Sequence, residues 1–350
     1  MKTTRILIMA SVAVLTLANS CKKSDPDDPD EHIDLSKYTI YAFGKYNGKD
    51  LGDITCYWIN SEQLRVKADD SEYYYMNGSY VLNGDVYLCG SRGSKPVYFK
   101  NKTMVELDAD EYSSSNVHYI HVSDGVVYTA GSHSSRDVYS NCYWTNTTRT
   151  NITDVPPGTK YFETTGLFSY GGDAYISGHY VDGNDVKHAC YWKNGVRTDM
   201  PEIPSIAASI FIDNGRVYLA GSYERITLTG TVTEAGYWVD RNFELVVRHV
   251  PEIDGIFVEK GTVYTYNKWF GCYWTGNKET KITPALSTDA QINSIYVKDG
   301  IVFTAGQFGK GSGESYRSYP CYWINRKPVE VPVTGLGKST VDELIGIFVE

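Results

Sequence analysis

The residues best suited to chemistry in this chain are aromatic side chains in segments that do not repeat. Segment 263–274 carries Tyr266, Asn267, Trp269 and Phe270, and it departs from the pattern that the rest of the chain follows. An exposed tryptophan or tyrosine offers a flat apolar face and a polar atom, which suits stacking on a sugar ring or contact with a protein. We therefore predict a ligand-binding site that includes these four residues. Further candidates in non-repeating segments are Tyr74, Tyr161, Tyr180 and Tyr223.

Two simpler explanations of these aromatic residues stay open. Tyrosine is common in this chain, so the tyrosines could merely cover the rim of the core. The departure at 263–274 could be simple drift of a repeated sequence.

The sequence contains no arrangement that indicates catalysis. We find no Ser-His-Asp order, no nucleophile elbow and no phosphate-binding loop. His121 stands in a column of Phe and Tyr residues, so we expect it to be hydrogen-bonded inside the fold. Segment 182–185 has the composition of a calcium loop but lacks the remaining ligands, and acidic pairs such as Asp69–Asp70 are usually solvated. The sequence therefore predicts no catalytic residue, no metal site and no cofactor.

The first 20 residues are typical of a secretion signal. A short basic start precedes an apolar run, residues 6–17, which is shorter than a membrane-spanning helix. The run ends in Leu17-Ala18-Asn19-Ser20-Cys21, which resembles the lipobox of bacterial lipoproteins. The resemblance implies cleavage before Cys21, lipidation of that cysteine, and a membrane partner bound through the lipid anchor. The alternative is an ordinary secretion signal with a chance cysteine.

Residues 21–37 are predicted to form the lipidated cysteine and a disordered acidic tether, because they are rich in charge and proline. The acidic run after Cys21 resembles the surface-export signal of some Gram-negative lipoproteins. The resemblance implies an outer-membrane lipoprotein exposed on the cell surface. A plain spacer, and an orientation toward the periplasm, remain alternatives. The formal net charge of -9 argues against nucleic acid as a partner.

The remainder of the chain is built from one repeated unit. A tyrosine followed by Trp or Phe occurs seven times, at intervals of 36 to 49 residues. Each pair is preceded by an apolar segment, a short turn, usually with glycine, and, in most units, a segment of the Val-Tyr-x-Ala-Gly type. A period near 45 residues made of short strands is typical of a β-propeller. The pairs begin at Tyr57, Tyr98, Tyr143, Tyr191, Tyr237, Tyr273 and Tyr322.

The two ends of the chain predict how the ring closes. Residues 346–350 match the first strand of a unit, and residues 38–44 match the second strand. We therefore predict that residues 38–350 form one all-β domain. It is a seven-bladed β-propeller of four-stranded blades, closed by the C-terminal strand pairing with the N-terminal strand. The repeats resemble those of a family of bacterial surface lipoproteins, and this resemblance implies the fold but no defined activity.

The six cysteines after Cys21 occupy repeat positions that are predicted to be buried. Five of them directly precede the tyrosine of the repeated pair, and Cys89 stands in an alanine column. Equivalent positions of neighbouring blades lie about 10 Å apart, beyond the reach of a disulfide. We therefore predict six buried thiols that form no disulfide.

The connections outside the short hairpin turns are expected to be long and irregular and to emerge on one face, here called the loop face. We predict that this face binds a glycan or a protein, and that a short loop at Lys268-Trp269-Phe270 leaves a notch in it. The alternatives are a structural or assembly subunit of an outer-membrane complex and a polysaccharide-active enzyme, since the fold alone decides neither. The loop-face segments are 45–54, 68–77, 108–117, 132–140, 155–164, 179–187, 222–234 and 307–319.

Overall fold

The computed structural model describes residues 33–48, 52–65, 74–110, 113–135, 138–282, 289–312, 317–332 and 340–350. The predicted signal peptide, Cys21 and the tether up to residue 32 lie outside these ranges. Residues 35–350 form one compact unit, which begins with a short 3₁₀ helix, Leu35–Lys37. Within the described ranges, no helix is long and apolar enough to cross a bilayer.

Blade 1 contains strands β1 (Ile40–Gly48), β2 (Gly52–Ile59) and β3 (Glu62–Arg65). Blade 2 contains β4 (Tyr74–Leu82), β5 (Asp85–Arg92), β6 (Lys95–Lys100) and β7 (Thr103–Glu106). Blade 3 contains β8 (Ser113–Ser123), β9 (Val126–Ser135), β10 (Val138–Thr145) and β11 (Thr148–Asn151). Blade 4 contains β12 (Tyr161–Tyr170), β13 (Asp173–Val181), β14 (Lys187–Lys193) and β15 (Val196–Asp199).

Blade 5 contains β16 (Ser205–Asp213), β17 (Arg216–Thr227), β18 (Gly230–Val239) and β19 (Asn242–Arg248). Blade 6 contains β20 (Gly255–Glu259), β21 (Thr262–Asn267), β22 (Cys272–Thr275) and β23 (Lys278–Lys281). Blade 7 contains β24 (Asp289–Lys298), β25 (Ile301–Lys310), β26 (Arg317–Ile324) and β27 (Lys327–Glu330). The last strand, β28 (Thr340–Val349), completes blade 1.

The strands form seven antiparallel sheets of four strands in a ring, which confirms the predicted seven-bladed β-propeller. Blade 1 has the order β28-β1-β2-β3, so the C-terminal strand lies innermost and pairs with the N-terminal strand. The pairing runs from Ile40 opposite Val349 to Asn47 opposite Thr340. This pairing closes the ring as the sequence predicted, and it leaves β1 without an open edge.

The residues in the short turns at one end of each blade explain the backbone conformation of those turns. Asn83 and Gly84 both have positive φ angles, 52° and 76°, which is the backbone that a two-residue hairpin between twisted strands needs. The second turn of the same blade uses Asn101, whose Oδ1 also accepts a 2.9 Å hydrogen bond from the backbone N–H of Val86. The asparagine thus ties the third strand to the start of the second. The end of the propeller that carries these turns is called the hairpin face.

The core lies between neighbouring blades and is dominated by the repeated aromatic pairs. The six tryptophans of the pairs are at most 3% exposed. The indole N–H of Trp144 donates to the carbonyl oxygen of Asp108 at 2.7 Å, and that of Trp192 donates to Asp154 in the same way at 2.8 Å. Each of these bonds joins a blade to the segment that precedes it. The predicted structural role of the aromatic pairs is therefore confirmed.

The six cysteines of the described residues are buried thiols, as the sequence predicted. Burial raises the pKa of the Cys142 and Cys272 thiols to about 12, so neither forms a reactive thiolate near neutral pH. The six positions are Cys56, Cys89, Cys142, Cys190, Cys272 and Cys321.

We expect these thiols to be unreactive in the folded protein and fully reactive after unfolding. Iodoacetamide added in denaturant without a reductant should alkylate all six, as counted by intact-mass spectrometry, whereas the native protein should gain few adducts. Detection of a disulfide-linked peptide among these six positions would contradict the prediction.

Six of the seven innermost strands carry a β-bulge, and the seventh does not. In blade 3 the bulge lies between Val117 and Tyr119, opposite Gly131 of β9. A Cβ atom on Gly131 would lie 2.0 Å from the carbonyl oxygen of Asn116, so only glycine fits at this point of the second strand. In blade 6 the strand β20 has five residues and no bulge, and Asn267 occupies the glycine position. The short innermost strand is therefore the physical reason for the departure at 263–274.

One aromatic ring from each innermost strand lies at the axis of the propeller, and successive rings contact each other in a closed circle. Neighbouring centroids are 4.1 to 5.9 Å apart. The planes of neighbouring rings are inclined to one another by 38° to 76°, which is the tilted or edge-to-face contact that aromatic rings favour. The circle consists of Tyr80, His121, Phe168, Phe211, Phe257, Tyr296 and Phe348.

Candidate functional site

Large apolar side chains are unevenly distributed between the two faces. Of the eleven exposed large hydrophobic residues in the described ranges, eight lie at the loop face. The exposed hydrophobic residues of the described ranges therefore concentrate on one side of the propeller, and contiguous patches of such residues are typical of interaction sites. The eight are Tyr75, Tyr139, Tyr161, Ile203, Ile226, Leu228, Trp269 and Phe270.

The loop-face connections are more regular than the sequence suggested. Strands β17 and β18 stay paired out to Thr227 opposite Gly230, and β25 and β26 stay paired out to Lys310 opposite Arg317. The prediction of irregular loops is therefore wrong for these segments, which are extended two-stranded ribbons. The β-branched and threonine-rich sequence of 226–233 favours continuation of the strands beyond the blade.

Blade 6 is short on this face, which agrees with the predicted notch. Strand β21 ends at Asn267, whereas β17 of blade 5 continues six residues past the equivalent glycine, Gly221. Six residues of strand correspond to about 20 Å of length. The loop that joins β21 to β22 therefore lies beside a much taller ribbon.

Trp269 and Phe270 occupy this short loop, with 62% and 52% of their surface exposed. The backbone N–H of Trp269 donates to Oδ1 of Asn267 at 3.0 Å, and the backbone N–H of Lys268 donates to Oδ2 of Asp254 at 2.7 Å. The Lys268 ammonium lies 5.3 Å from the centroid of the Trp269 ring. The loop is thus fixed by hydrogen bonds while its two aromatic rings remain accessible.

Tyr266 and Asn267 lie beneath this loop rather than on the surface. Both are buried, and the Tyr266 hydroxyl donates to the carbonyl oxygen of Asn293 in blade 7 at 2.7 Å. A Cβ atom on Gly255 would lie 2.1 Å from the Tyr266 ring, so the ring packs directly against Gly255 and fills the space of a side chain there. Asn267 donates to the carbonyl oxygen of Glu252 at 2.8 Å. Asn267 therefore positions Trp269, and neither buried residue is placed to touch a ligand itself.

The other predicted tyrosines are spread over three blades. Tyr161 is 48% exposed on blade 4, whereas Tyr180 on the same blade is buried and its ring stacks on His188 at 4.7 Å. Tyr74 on blade 2 is half-buried, and its ring meets Phe99 edge to face. Tyr223 on blade 5 is half-buried and donates its hydroxyl to Glu234 at 2.7 Å. The structure therefore places only Tyr223 on a blade adjacent to Trp269.

A cavity of about 300 Å³ opens between blades 4 and 5, next to Tyr223. Its polar lining comes from separate strands of these two blades, and proline residues complete the wall. Sequence reasoning found only Tyr223 because the other polar residues are common surface types with no motif. The polar lining consists of Lys187, Ser205, Ser222, Tyr223, Glu224 and Thr233.

A buried carboxylate supports one wall of this cavity. Glu234 accepts hydrogen bonds from Tyr223, from Arg225 at 2.7 Å and from Arg248 at 3.1 Å. Burial alone would raise the pKa of Glu234, but these hydrogen bonds and the Arg225 charge hold its pKa down at about 2. Burial, followed by the bond to Glu234, raises the pKa of Tyr223 to about 12. Glu234 therefore stays ionised and Tyr223 stays neutral across the physiological pH range.

Two further acidic residues lie in the connector between the cavity and the Trp269 loop. Burial raises the pKa of Glu252, and the nearby Asp254 carboxylate raises it further, while Lys187 opposes the change. Burial also raises the pKa of Asp254, against the effect of its hydrogen bond from Lys268. Both carboxyls in this connector therefore hold their protons to a higher pH than solvent-exposed carboxyls do.

His121 is hydrogen-bonded inside the fold, as predicted. Its Nδ1 lies 2.7 Å from the Ser169 hydroxyl and accepts the backbone N–H of Ser169 at 3.2 Å. Burial lowers the pKa of His121 to about 3, so the ring is neutral at physiological pH. In the predicted calcium-like segment, Asp182 accepts the backbone N–H groups of Asn184 and Val186, and its carboxylate is used to form the turn.

The structure also assembles one serine–histidine–aspartate chain that the sequence did not reveal. Ser115 Oγ lies 2.9 Å from His133 Nδ1, and His133 Nε2 lies 2.8 Å from Asp110. The serine is 3% exposed and the aspartate side chain is 56% exposed, which is the reverse of what a nucleophilic serine needs. Arg149 also binds Asp110 at 3.1 Å. These hydrogen bonds therefore tie the segment before blade 3, which carries Asp110, to that blade.

Comparison with known proteins supports the β-propeller fold but assigns this chain to no family. No family model and no curated protein matches the sequence. The structure is similar to Pyrococcus horikoshii acylaminoacyl peptidase, with a TM-score of 0.52 and 11% identity over 85% of this chain and 51% of the peptidase. This chain therefore spans about half the length of the peptidase, and at this identity the similarity shows the fold alone.

Two further solved structures are similar at lower scores. The Trypanosoma rangeli sialidase in complex with sialic acid matches with a TM-score of 0.40 and 9% identity, over 81% of this chain and 57% of the sialidase. The computationally designed Ika8 protein matches with a TM-score of 0.42 and 15% identity, over 71% of this chain and 74% of the design.

Proposed function

We propose that this protein is a binding module that recognises a glycan through its loop face. The observation that carries the proposal is the uneven distribution of exposed large hydrophobic residues. In the part of the chain that the structure describes there are eleven, and eight of them lie at the loop face. Four of the eight are tyrosine or tryptophan, whose flat faces stack on sugar rings. The polar cavity between blades 4 and 5 includes residues of the blade next to Trp269, and polar groups near aromatic rings are what polyhydroxylated ligands need.

Trp269 provides the direct test of this proposal. Trp269→Ala should change the free energy of unfolding by no more than about 0.5 kcal/mol, because the side chain is mostly exposed. It should weaken glycan binding by about 1 to 2 kcal/mol, because an aromatic platform would be lost. The measurement is a glycan-array screen of the full chain in detergent, followed by calorimetric titration of the glycans that bind.

The matched control is Tyr170→Ala. Tyr170 is 42% exposed but lies at the hairpin face, so its removal should leave binding unchanged. A wild-type protein that binds no glycan would disprove the proposal. A variant at Trp269 that is strongly destabilised would show that this residue belongs to the core.

We further propose that a lipid on Cys21 anchors the protein to the outer membrane with the propeller exposed at the cell surface. The lipobox-like sequence before Cys21 and the acidic run after it support this proposal. Because the acyl chains would be the apolar anchor, Cys21→Ala should move the protein from the membrane fraction to the soluble fraction. Fractionation followed by immunoblotting measures this shift, with Cys56→Ala as the control. Continued sedimentation of a correctly cleaved Cys21→Ala protein with membranes would refute the anchor.

A further inference from the structure

We infer that the cavity between blades 4 and 5 is a subsite for one neutral sugar unit of the bound glycan. This inference rests on the proposed function and names the ligand class of one part of the loop face. The cavity volume of about 300 Å³ lies at the lower end of the range for small-molecule sites, which suits a single ring better than a longer segment.

The hydroxyl groups of the cavity offer both donors and acceptors. The Ser205 hydroxyl accepts the backbone N–H of Ala189 at 3.1 Å and so keeps its own hydrogen to donate. The Ser222 hydroxyl donates to the carbonyl oxygen of Pro251 at 2.8 Å, and the Tyr223 hydroxyl donates to Glu234. The oxygen atoms of Ser222 and Tyr223 therefore remain as acceptors. Sugar hydroxyls donate and accept at once, so they satisfy such a mixed set.

The charged residues of the lining favour a neutral ligand. Lys187 contributes one positive charge from blade 4, and Glu224 contributes one negative charge from blade 5. An ammonium group donates to a sugar oxygen, and a carboxylate accepts from a sugar O–H, with charge-assisted hydrogen bonds. A ligand that carries a net charge would be attracted by one of these residues and repelled by the other. A neutral sugar unit can form hydrogen bonds with both Lys187 and Glu224.

The cavity is formed before a ligand arrives. The backbone N–H of Glu224 donates to the carbonyl oxygen of Pro204 at 2.9 Å, and the Ser222 bond holds the connector that carries Pro251. Arg225 and Arg248 fix Glu234, which in turn holds Tyr223. Fixed walls reduce the loss of side-chain freedom on binding.

Three variants of the full-length protein test the subsite. Lys187→Met and Glu224→Gln each remove one charge from an exposed residue, and Thr233→Tyr fills the cavity. The probes are arrayed neutral oligosaccharides and their sialylated or uronic-acid-containing counterparts. Each variant should bind the neutral array glycans at least tenfold more weakly than the wild-type protein, with an unchanged unfolding temperature. The controls Lys102→Met and Glu244→Gln, both at exposed sites outside the cavity, should change binding less than twofold.

The outcomes separate this inference from the proposed function. If Trp269→Ala weakens glycan binding while all three cavity variants bind like wild type, the subsite is wrong and the loop-face function stands. Binding of acidic glycans alone by the wild-type protein would overturn the neutral-sugar assignment. Absence of binding to every arrayed glycan would overturn both the subsite and the proposed function.

Discussion

Deletion of residues 346–350 should destabilise the propeller more than any single substitution outside its core. The deletion removes most of the part of β28 that pairs with the first half of β1. Ile347 and Val349 are at most 1% exposed, and each fully buried side chain contributes about 1.5 to 3 kcal/mol. Phe348 contacts Phe43 as well as two rings of the axial circle. The combined loss is a large part of a typical stability of about 5 to 15 kcal/mol.

Chemical denaturation followed by circular dichroism measures this effect, with point variants as a graded comparison. Ile347→Ala should lose about 2 to 5 kcal/mol, because it leaves a cavity in the closing strand. Val196→Ala, at a residue that is 64% exposed at the start of the outermost strand β15, should change the free energy of unfolding by no more than about 0.5 kcal/mol. A truncated protein that unfolds at the same denaturant concentration as the full chain would show that ring closure contributes little.

Gly131→Ala should destabilise blade 3 by about 3 kcal/mol, although it adds only one methyl group. The new Cβ would lie 2.0 Å from the carbonyl oxygen of Asn116 and 2.9 Å from Cα of Val117. Both are backbone atoms of the bulged strand β8, so no side-chain rotation relieves the contact. Overpacking of this kind costs about 1 to 3 kcal/mol and sometimes more.

Gly183→Ala is the matched control for this substitution. The nearest atom to a Cβ on Gly183 is the carbonyl oxygen of Gly158 at 3.8 Å, which is an ordinary contact. The control should therefore unfold at the same temperature as the wild-type protein in a calorimetric scan, while Gly131→Ala unfolds at a clearly lower temperature. Equal unfolding temperatures for the two variants would mean that the bulge can shift without cost.

The sequence predicted the fold well because the fold repeats. The strand pattern, the glycine-containing turns and the buried tyrosine–tryptophan pairs each occur in several blades, so one unusual unit does not obscure the assignment. The match of 346–350 to a first strand also predicted the closure that β28 makes with β1. The ribbon lengths were not predictable in this way. They depend on local sequences such as 224–233, which occur once in the chain.

The candidate site could be predicted only in part. Trp269 belongs to no repeated position, and the structure exposes it, as the sequence suggested. Tyr266 and Asn267 are buried because β20 is short, and the length of that strand is not visible in the residues that follow it. Lys187 and Ser205 meet at one cavity from different blades. Their proximity results from the spacing of the blades, so no local sequence motif could predict it.

The closed circle of aromatic rings has a consequence for how a long polymer could be recognised. Because four of the seven rings are phenylalanine, the axis offers few hydrogen-bonding groups to a polysaccharide strand that would pass from one face of the propeller to the other. A chain that reaches the centre of the loop face is therefore expected to arrive and leave on that same side. Such a protein needs no free chain end, and several copies could sit at internal positions along one intact polymer, with the chain continuing in both directions.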